Sequence, residues 1–95
     1  MESVALQGRI TINNADDMRR TLAGALRFQL PRLTVDLTGV TYMDTSGLAT
    51  LVETMRIGRQ QGTRLVLRGI QTQPGYLLKV TDLDHVFEIE EGASS

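Results

Sequence analysis

Val40-Thr41-Tyr42-Met43-Asp44-Thr45-Ser46-Gly47-Leu48-Ala49 joins an apolar strand to an amphipathic helix, and it places a carboxylate, two hydroxyls and a glycine at the joint. The first residues of a helix offer unpaired backbone N–H groups and the positive end of the helix dipole. A hydroxyl there is a good cap. Capping accounts for one hydroxyl, however, and does not call for Asp44, Thr45 and Ser46 in succession. Nor does it call for Gly47, which costs a helix about 1 kcal/mol relative to alanine. A phosphoryl group added to Ser46 would bring roughly −1.5 to −2 of charge. The helix terminus favours that charge, whereas Asp44 repels it.

Outward from the joint, apolar periodicity orders the chain. Upstream, Leu33-Thr34-Val35-Asp36-Leu37 alternates with period two and reads as a strand. Before it, Ala15, Met18, Leu22, Ala25 and Leu26 recur at helical spacing. That helix is opened by Asn13-Asn14 and stopped by Pro31, which disfavours helical geometry in the residue before it. Val4 to Ile10 reads as a first strand, interrupted or ended at Gly8, and it leaves the sheet a thinly protected edge.

Downstream, Leu48, Leu51, Val52 and Met55 form the buried stripe of the second helix, with Arg56, Arg59 and Gln60 on its solvent side. Gly62 suits the left-handed residue that commonly ends a helix. Leu65-Val66-Leu67 is a short apolar strand. Pro74 fits the first turn of a third helix carrying Tyr76, Leu77 and Val80, and Val86 to Ile89 makes a last strand. The order β-α-β-α-β-α-β predicts an α/β domain whose sheet is largely parallel. One domain spanning 1–95 is expected, with a loose tail at about 90–95.

Composition narrows the chemistry. A net charge of −1 gives no electrostatic reason for a nucleic-acid partner. There is no cysteine and one histidine, so neither a disulfide framework nor a thiolate or histidine metal site is expected, and no cofactor. No apolar run approaches the roughly 20 residues that cross a bilayer. The start, Met1-Glu2-Ser3-Val4, lacks the basic and apolar regions of a signal peptide, so a cytoplasmic protein without membrane insertion is expected.

Enzymatic readings fare poorly. Ser46 would need a base within reach, and His85 is the sole candidate; the Gly-x-Ser-x-Gly elbow is missing too. A phosphoacceptor role for Asp44, as in receiver domains, would need an acidic pair after the first strand, which runs instead into Gly8-Arg9. Asp16-Asp17 reads as dipole compensation in a first helical turn rather than as a metal pair. Arg56, Arg59, Arg64 and Arg68 read as a solvated face, with complementarity to an acidic partner as the other reading. A non-enzymatic binding protein is the expectation.

The strand ending in Gly8, the strand Leu33 to Leu37, the turn Asp44-Thr45-Ser46-Gly47-Leu48, the apolar helix and the Gly62 stop together resemble the STAS domain family, and within it the bacterial anti-sigma factor antagonists. The resemblance implies a STAS-like mixed sheet of about four strands with three or so helices. It also implies a phosphoprotein of transcription regulation. Ser46, or less readily Thr45, would be phosphorylated by the partner, an anti-sigma factor and serine kinase of the histidine-kinase-like ATPase type. Unmodified antagonist captures that partner and phosphorylated antagonist releases it. Thr38, Asp44, Thr45, Ser46, Gly47 and Leu48 would form the partner surface, centred on a Thr38–Leu48 loop, with Asp44 orienting it and Gly47 allowing close approach. Two departures stand out: Arg9-Ile10-Thr11 follows Gly8 where the family often has an acidic residue, and the additional first strand of many members is lacking. The Asp44-Thr45 start and Leu48-Ala49 continuation also resemble the accessory subunit docking on the ATPase of phospholipid-transporting ABC systems, where Thr45 would be a contact residue; Ser46 favours the switch.

Overall fold

The computed structural model describes residues 3–90; the expected tail from 91 onward lies outside them. Four strands, β1 (Ser3–Ile10), β2 (Arg32–Met43), β3 (Arg64–Arg68) and β4 (Glu88–Glu90), form one sheet in the order β1-β2-β3-β4. Three helices connect them, α1 (Ala15–Leu26), α2 (Thr45–Gln61) and α3 (Thr72–Val80), and a 3-10 turn (Leu83–His85) precedes β4. The α/β class and the strand and helix numbers are as expected. Every pairing is parallel rather than mixed, because each connection carries a helix and none is a hairpin.

Parallel crossovers are right-handed almost without exception. Three successive steps in one direction therefore lay all three helices on one face of the sheet. The burial pattern agrees: Val4, Leu6, Leu33, Val35, Leu37, Leu65 and Leu67 are buried in one cluster with Met18, Leu22, Leu48, Leu51 and Leu78 from the helices. Parallel sheets are ordinarily covered on both faces, but here the opposite face carries Ser3, Arg32, Asp36, Arg64, Arg68 and Glu88. Its one apolar member on β3, Val66, is 1% exposed. The register explains this, since the Arg32–Glu90 ion pair spans from β2 to β4 along the diagonal that crosses β3 at Val66.

Several local expectations change. Gly8 does not end β1; with φ at 82° it sits between register shifts in a strand that continues to Ile10. β2 is twelve residues long, so the Thr38–Leu48 segment is strand and helix rather than a loop. Gly39 pairs with Gln7 just past the first of the β1–β2 register slips. Helix α1 ends at Leu26, well before Pro31, with Gln29 left-handed at φ 51° between them. Helix α3 turns Pro74 and Leu78 inward and leaves Tyr76 and Val80 exposed. Arg64 and Arg68 belong to the helix-free sheet face and Arg56 to the exposed side of α2, so the four arginines do not form one face, although Arg59 near the end of α2 borders the same cleft as Arg64.

Candidate functional site: the amino end of helix α2

β2 outruns β3 by seven residues, since pairing with β3 stops at Asp36 while the strand runs on to Met43. On one side this overhang pairs with β1. On the other, the Gln73 side chain supplies what a strand would: its Oε1 accepts from Met43 N–H at 2.8 Å and its Nε2 donates to Met43 O at 3.0 Å. The start of α2 is thereby held from both flanks.

Asp44 follows in extended conformation and is the N-cap. Its Oδ1 accepts from Ser46 N–H at 2.8 Å and Gly47 N–H at 3.3 Å, while its Oδ2 accepts from Ile12 N–H at 3.1 Å. Capping therefore belongs to Asp44, which the sequence reading gave to a hydroxyl. Ser46 is half-buried and Thr45 exposed. Among the described residues nothing hydrogen-bonds Ser46 Oγ, and the buried side-chain oxygen without a partner is Asp84 Oδ1. Ser46 Oγ thus keeps contact with solvent at the positive end of the helix dipole.

The turn between β1 and α1 forms the neighbouring wall. Thr11 N–H donates to Asn14 Oδ1 at 2.8 Å and Asn14 Nδ2 donates to Arg9 O at 2.8 Å. Asn14 thus organises the turn and does not cap α1 with its side chain. The turn holds Ile12 outward at 75% exposure. Ile12 drew no attention in the sequence, because nothing in its local spacing separates it from Ile10, which is buried.

Other expected site residues are placed differently. Gly47 is buried, and a Cβ on it would lie 2.7 Å from Ile10 Cγ2 and 2.8 Å from Met43 Cγ. Its lack of a side chain is an internal packing requirement. Leu48 is 4% exposed and belongs to the core. Thr38 lies six residues back along β2, roughly 20 Å away at strand rise. There its hydroxyl donates to Asp36 Oδ1 at 2.6 Å and its backbone N–H at 2.9 Å, which together hold the Asp36 carboxyl below the ordinary aspartate range. The structure therefore gathers Asp44, Thr45 and Ser46 at the surface, buries Gly47 and Leu48 beneath them, and sets Thr38 apart. Asp82, just before the 3-10 turn, and Asp84 and His85 on it bring potential ligand atoms within 4.8 Å of one another, with Asp82 and His85 exposed.

The family model described as "Mlab, STAS domain" matches residues 2–90. This chain belongs to the STAS domain family. An anti-sigma-B factor antagonist of Listeria monocytogenes is 38% identical over 58 residues, 61% of this chain and 51% of that protein. The match thus spans about half the length of the Listeria relative. An anti-sigma-B factor antagonist of Staphylococcus aureus is 25% identical over 89 residues, covering 94% of this STAS domain and 82% of the relative. A solved Thermotoga maritima structure superposes with a TM-score of 0.83 at 20% identity, covering 97% of this chain and 81% of that one, and it shares the fold. No helix among the described residues is long and apolar enough to cross a membrane.

Proposed function

We propose that this STAS domain is an anti-sigma factor antagonist: a cytoplasmic, non-enzymatic regulator of transcription that binds an anti-sigma factor and is released from it by phosphorylation of Ser46. The observation that carries this reading is the division of labour at α2, where Asp44 caps the helix and leaves the Ser46 hydroxyl unengaged and solvent-reachable. Similarity to anti-sigma-B factor antagonists supports the choice of partner class.

The physics of the switch follows from the site. A phosphoryl group on Ser46 Oγ would stand at the helix terminus, where the fold tolerates it. It would stand beside the Asp44 carboxylate and next to exposed Thr45, where a docked partner must desolvate both anions at once. Release then follows from the interface, with little change in the domain. The partner itself, as a serine kinase of the histidine-kinase-like ATPase type, would supply the phosphoryl group.

The test is to incubate the purified chain with ATP and the histidine-kinase-like anti-sigma factors encoded in its genome, with Ser46→Ala and Thr45→Ala variants alongside. Transfer of one phosphoryl group, mapped to Ser46 and lost only in Ser46→Ala, is expected, with binding of the unmodified form alone. Binding without any transfer, or transfer to another residue, would remove the switch.

A further inference from the structure

The peptide unit between Met43 and Asp44 is clamped from both flanks. Its C=O accepts from Gln73 Nε2 at 3.0 Å on the side of α3, and its N–H donates to Ile10 O at 3.0 Å on the side of β1. One step earlier, the Met43 N–H donates to Gln73 Oε1 at 2.8 Å. Only a carboxamide carries the acceptor and the donor side by side that this pairing needs. Gln73 is held in place by its own helix, since Pro74 and Leu78 are buried and anchor the inner face of α3.

This peptide unit is the last fixed point before Ser46. Asp44 follows with its two oxygens committed to the Ser46, Gly47 and Ile12 amides, and its C=O accepts from Leu48 N–H at 3.1 Å. Ser46 is therefore placed through its main chain. Its N–H is held by Asp44 and its C=O accepts from the Thr50 hydroxyl at 3.0 Å, while its own hydroxyl stays unengaged. A hydroxyl without an anchor points where the backbone beneath it is directed. Rotation of the Met43–Asp44 peptide would swing the Asp44 carboxylate off the three amides and carry Ser46 with it. On the α3 side, Gln73 opposes that rotation.

We infer that Gln73 is a positioning residue for Ser46, acting through Met43 and Asp44, so that α3 stands in series with the phosphorylation switch. This rests on the reading of Ser46 as the phosphorylated residue and adds what holds that residue in register for transfer. In the transfer, Ser46 Oγ forms a bond to the γ-phosphorus of ATP. The bond to the bridging oxygen breaks with its electron pair leaving on ADP, and the hydroxyl proton goes to a base of the kinase. Misplacement of an attacking atom by about 1 Å can cost such a step roughly 100-fold. A loosened Met43–Asp44 peptide should therefore slow the chemistry more than the docking.

The test measures ATP-dependent phosphorylation of Ser46 by a histidine-kinase-like anti-sigma factor, with amide exchange at Ser46 and Gly47 alongside. Gln73→Leu removes both bonds to Met43. Gln73→Glu keeps the shape and the acceptor for Met43 N–H, but sets a carboxylate oxygen against Met43 O. Val35→Ala is the control: Val35 is 0% exposed in the middle of β2, so its truncation lowers stability without touching this peptide. Both Gln73 variants should lose about tenfold or more in kcat with KM within about twofold of wild type, and their Ser46 and Gly47 amides should exchange faster. Val35→Ala should hold wild-type kcat. Wild-type kcat in both Gln73 variants overturns the inference and leaves the Ser46 switch standing. So does a loss of kcat that Val35→Ala reproduces at equal loss of melting temperature. Absence of transfer to the wild-type chain from any anti-sigma factor overturns the switch and this inference with it.

Discussion

The Asp44 carboxylate and the Ile12 amide, 32 residues apart, meet in a 3.1 Å hydrogen bond that locks the turn after β1 to the start of α2. The other carboxylate oxygen caps α2. One side chain thus does two jobs with two oxygens, and asparagine, with one oxygen, can do only one. Asp44→Ala should cost about 1–2 kcal/mol, the usual value of a helix cap with a further hydrogen bond. Asp44→Asn should retain most of that stability, because asparagine caps as well as aspartate, yet free the Ile12 amide. Denaturant melts and amide exchange at Ile12 check the two parts separately. Equal destabilisation by both substitutions would show that the cap is not the larger contribution.

Two helical glycines should respond to alanine with opposite signs. A Cβ at Gly47 meets Ile10 Cγ2 and Met43 Cγ at 2.7 and 2.8 Å, both on buried side chains. Overpacking of this kind costs about 1–3 kcal/mol, against about 1 kcal/mol gained in helix propensity. Gly47→Ala should therefore be destabilising on balance. At Gly24 in α1 an added Cβ meets nothing within 4 Å, so Gly24→Ala should stabilise by about 0.5–1 kcal/mol. Thermal melts of the pair read both signs directly.

Gln73 stands in for a missing strand at the end of β2. Gln73→Leu would keep much of the side chain's bulk and leave the Met43 N–H and C=O unpaired in a part-buried setting. Unmade bonds there cost about 1–3 kcal/mol. A drop of that order is expected, together with faster amide exchange at Met43 and little change at Val35, in the middle of β2. Unchanged exchange at Met43 would mean that water replaces the amide freely.

Much of this fold can be read from the sequence because its strands and helices carry clean periods. All five residues of the α1 stripe are buried, and Gly62 adopts the left-handed conformation at φ 86° that ends α2. What escapes is set by tertiary partners. The run of β2 beyond Leu37 depends on β1 alongside and Gln73 across from it, and no local pattern at Thr38-Gly39 announces either. The same holds at the site. The Asp44-Thr45-Ser46-Gly47 joint is visible from residue types alone, but its division into a cap, two free hydroxyls and a packing glycine is decided by Ile10, Ile12 and Met43, from other segments. Buried Thr50 and Thr54 are likewise settled locally once α2 exists, each donating to the carbonyl four residues back.

Acid should weaken the helix-free face first. The Thr38 hydroxyl holds the Asp36 carboxyl low, and hydrogen bonding from Arg64 holds Glu88 low. A carboxyl whose folded pKa lies below its unfolded value binds more protons when unfolded, so its stabilisation is present above about pH 4. It is lost as pH falls through the depressed folded value. Thr38→Val, which removes the hydroxyl and keeps the shape, should raise the Asp36 pKa and narrow the stability lost in acid. Carbon-detected NMR titration of the Asp36 carboxyl checks it; an unmoved midpoint would give the hydroxyl no part.

Substitution of Ser46 by aspartate should separate binding from folding. A negative charge at a helix amino terminus gains about 0.3–1 kcal/mol, and Coulomb repulsion from the Asp44 carboxylate, two residues back at the N-cap, costs on the order of 1 kcal/mol or less in a water-exposed setting. The two effects oppose each other and largely offset. The melting temperature of Ser46→Asp should stay within about 3 °C of wild type, the span of about 0.5 kcal/mol for a domain this size. Affinity for the anti-sigma factor should fall by about tenfold or more, and by less than phosphorylation causes, since a carboxylate carries about half the phosphoryl charge. Parallel melts and binding curves decide between the alternatives. A variant that loses binding only in proportion to lost stability would mean that the charge acts by loosening α2, whereas loss at constant stability places its action at the docked surface.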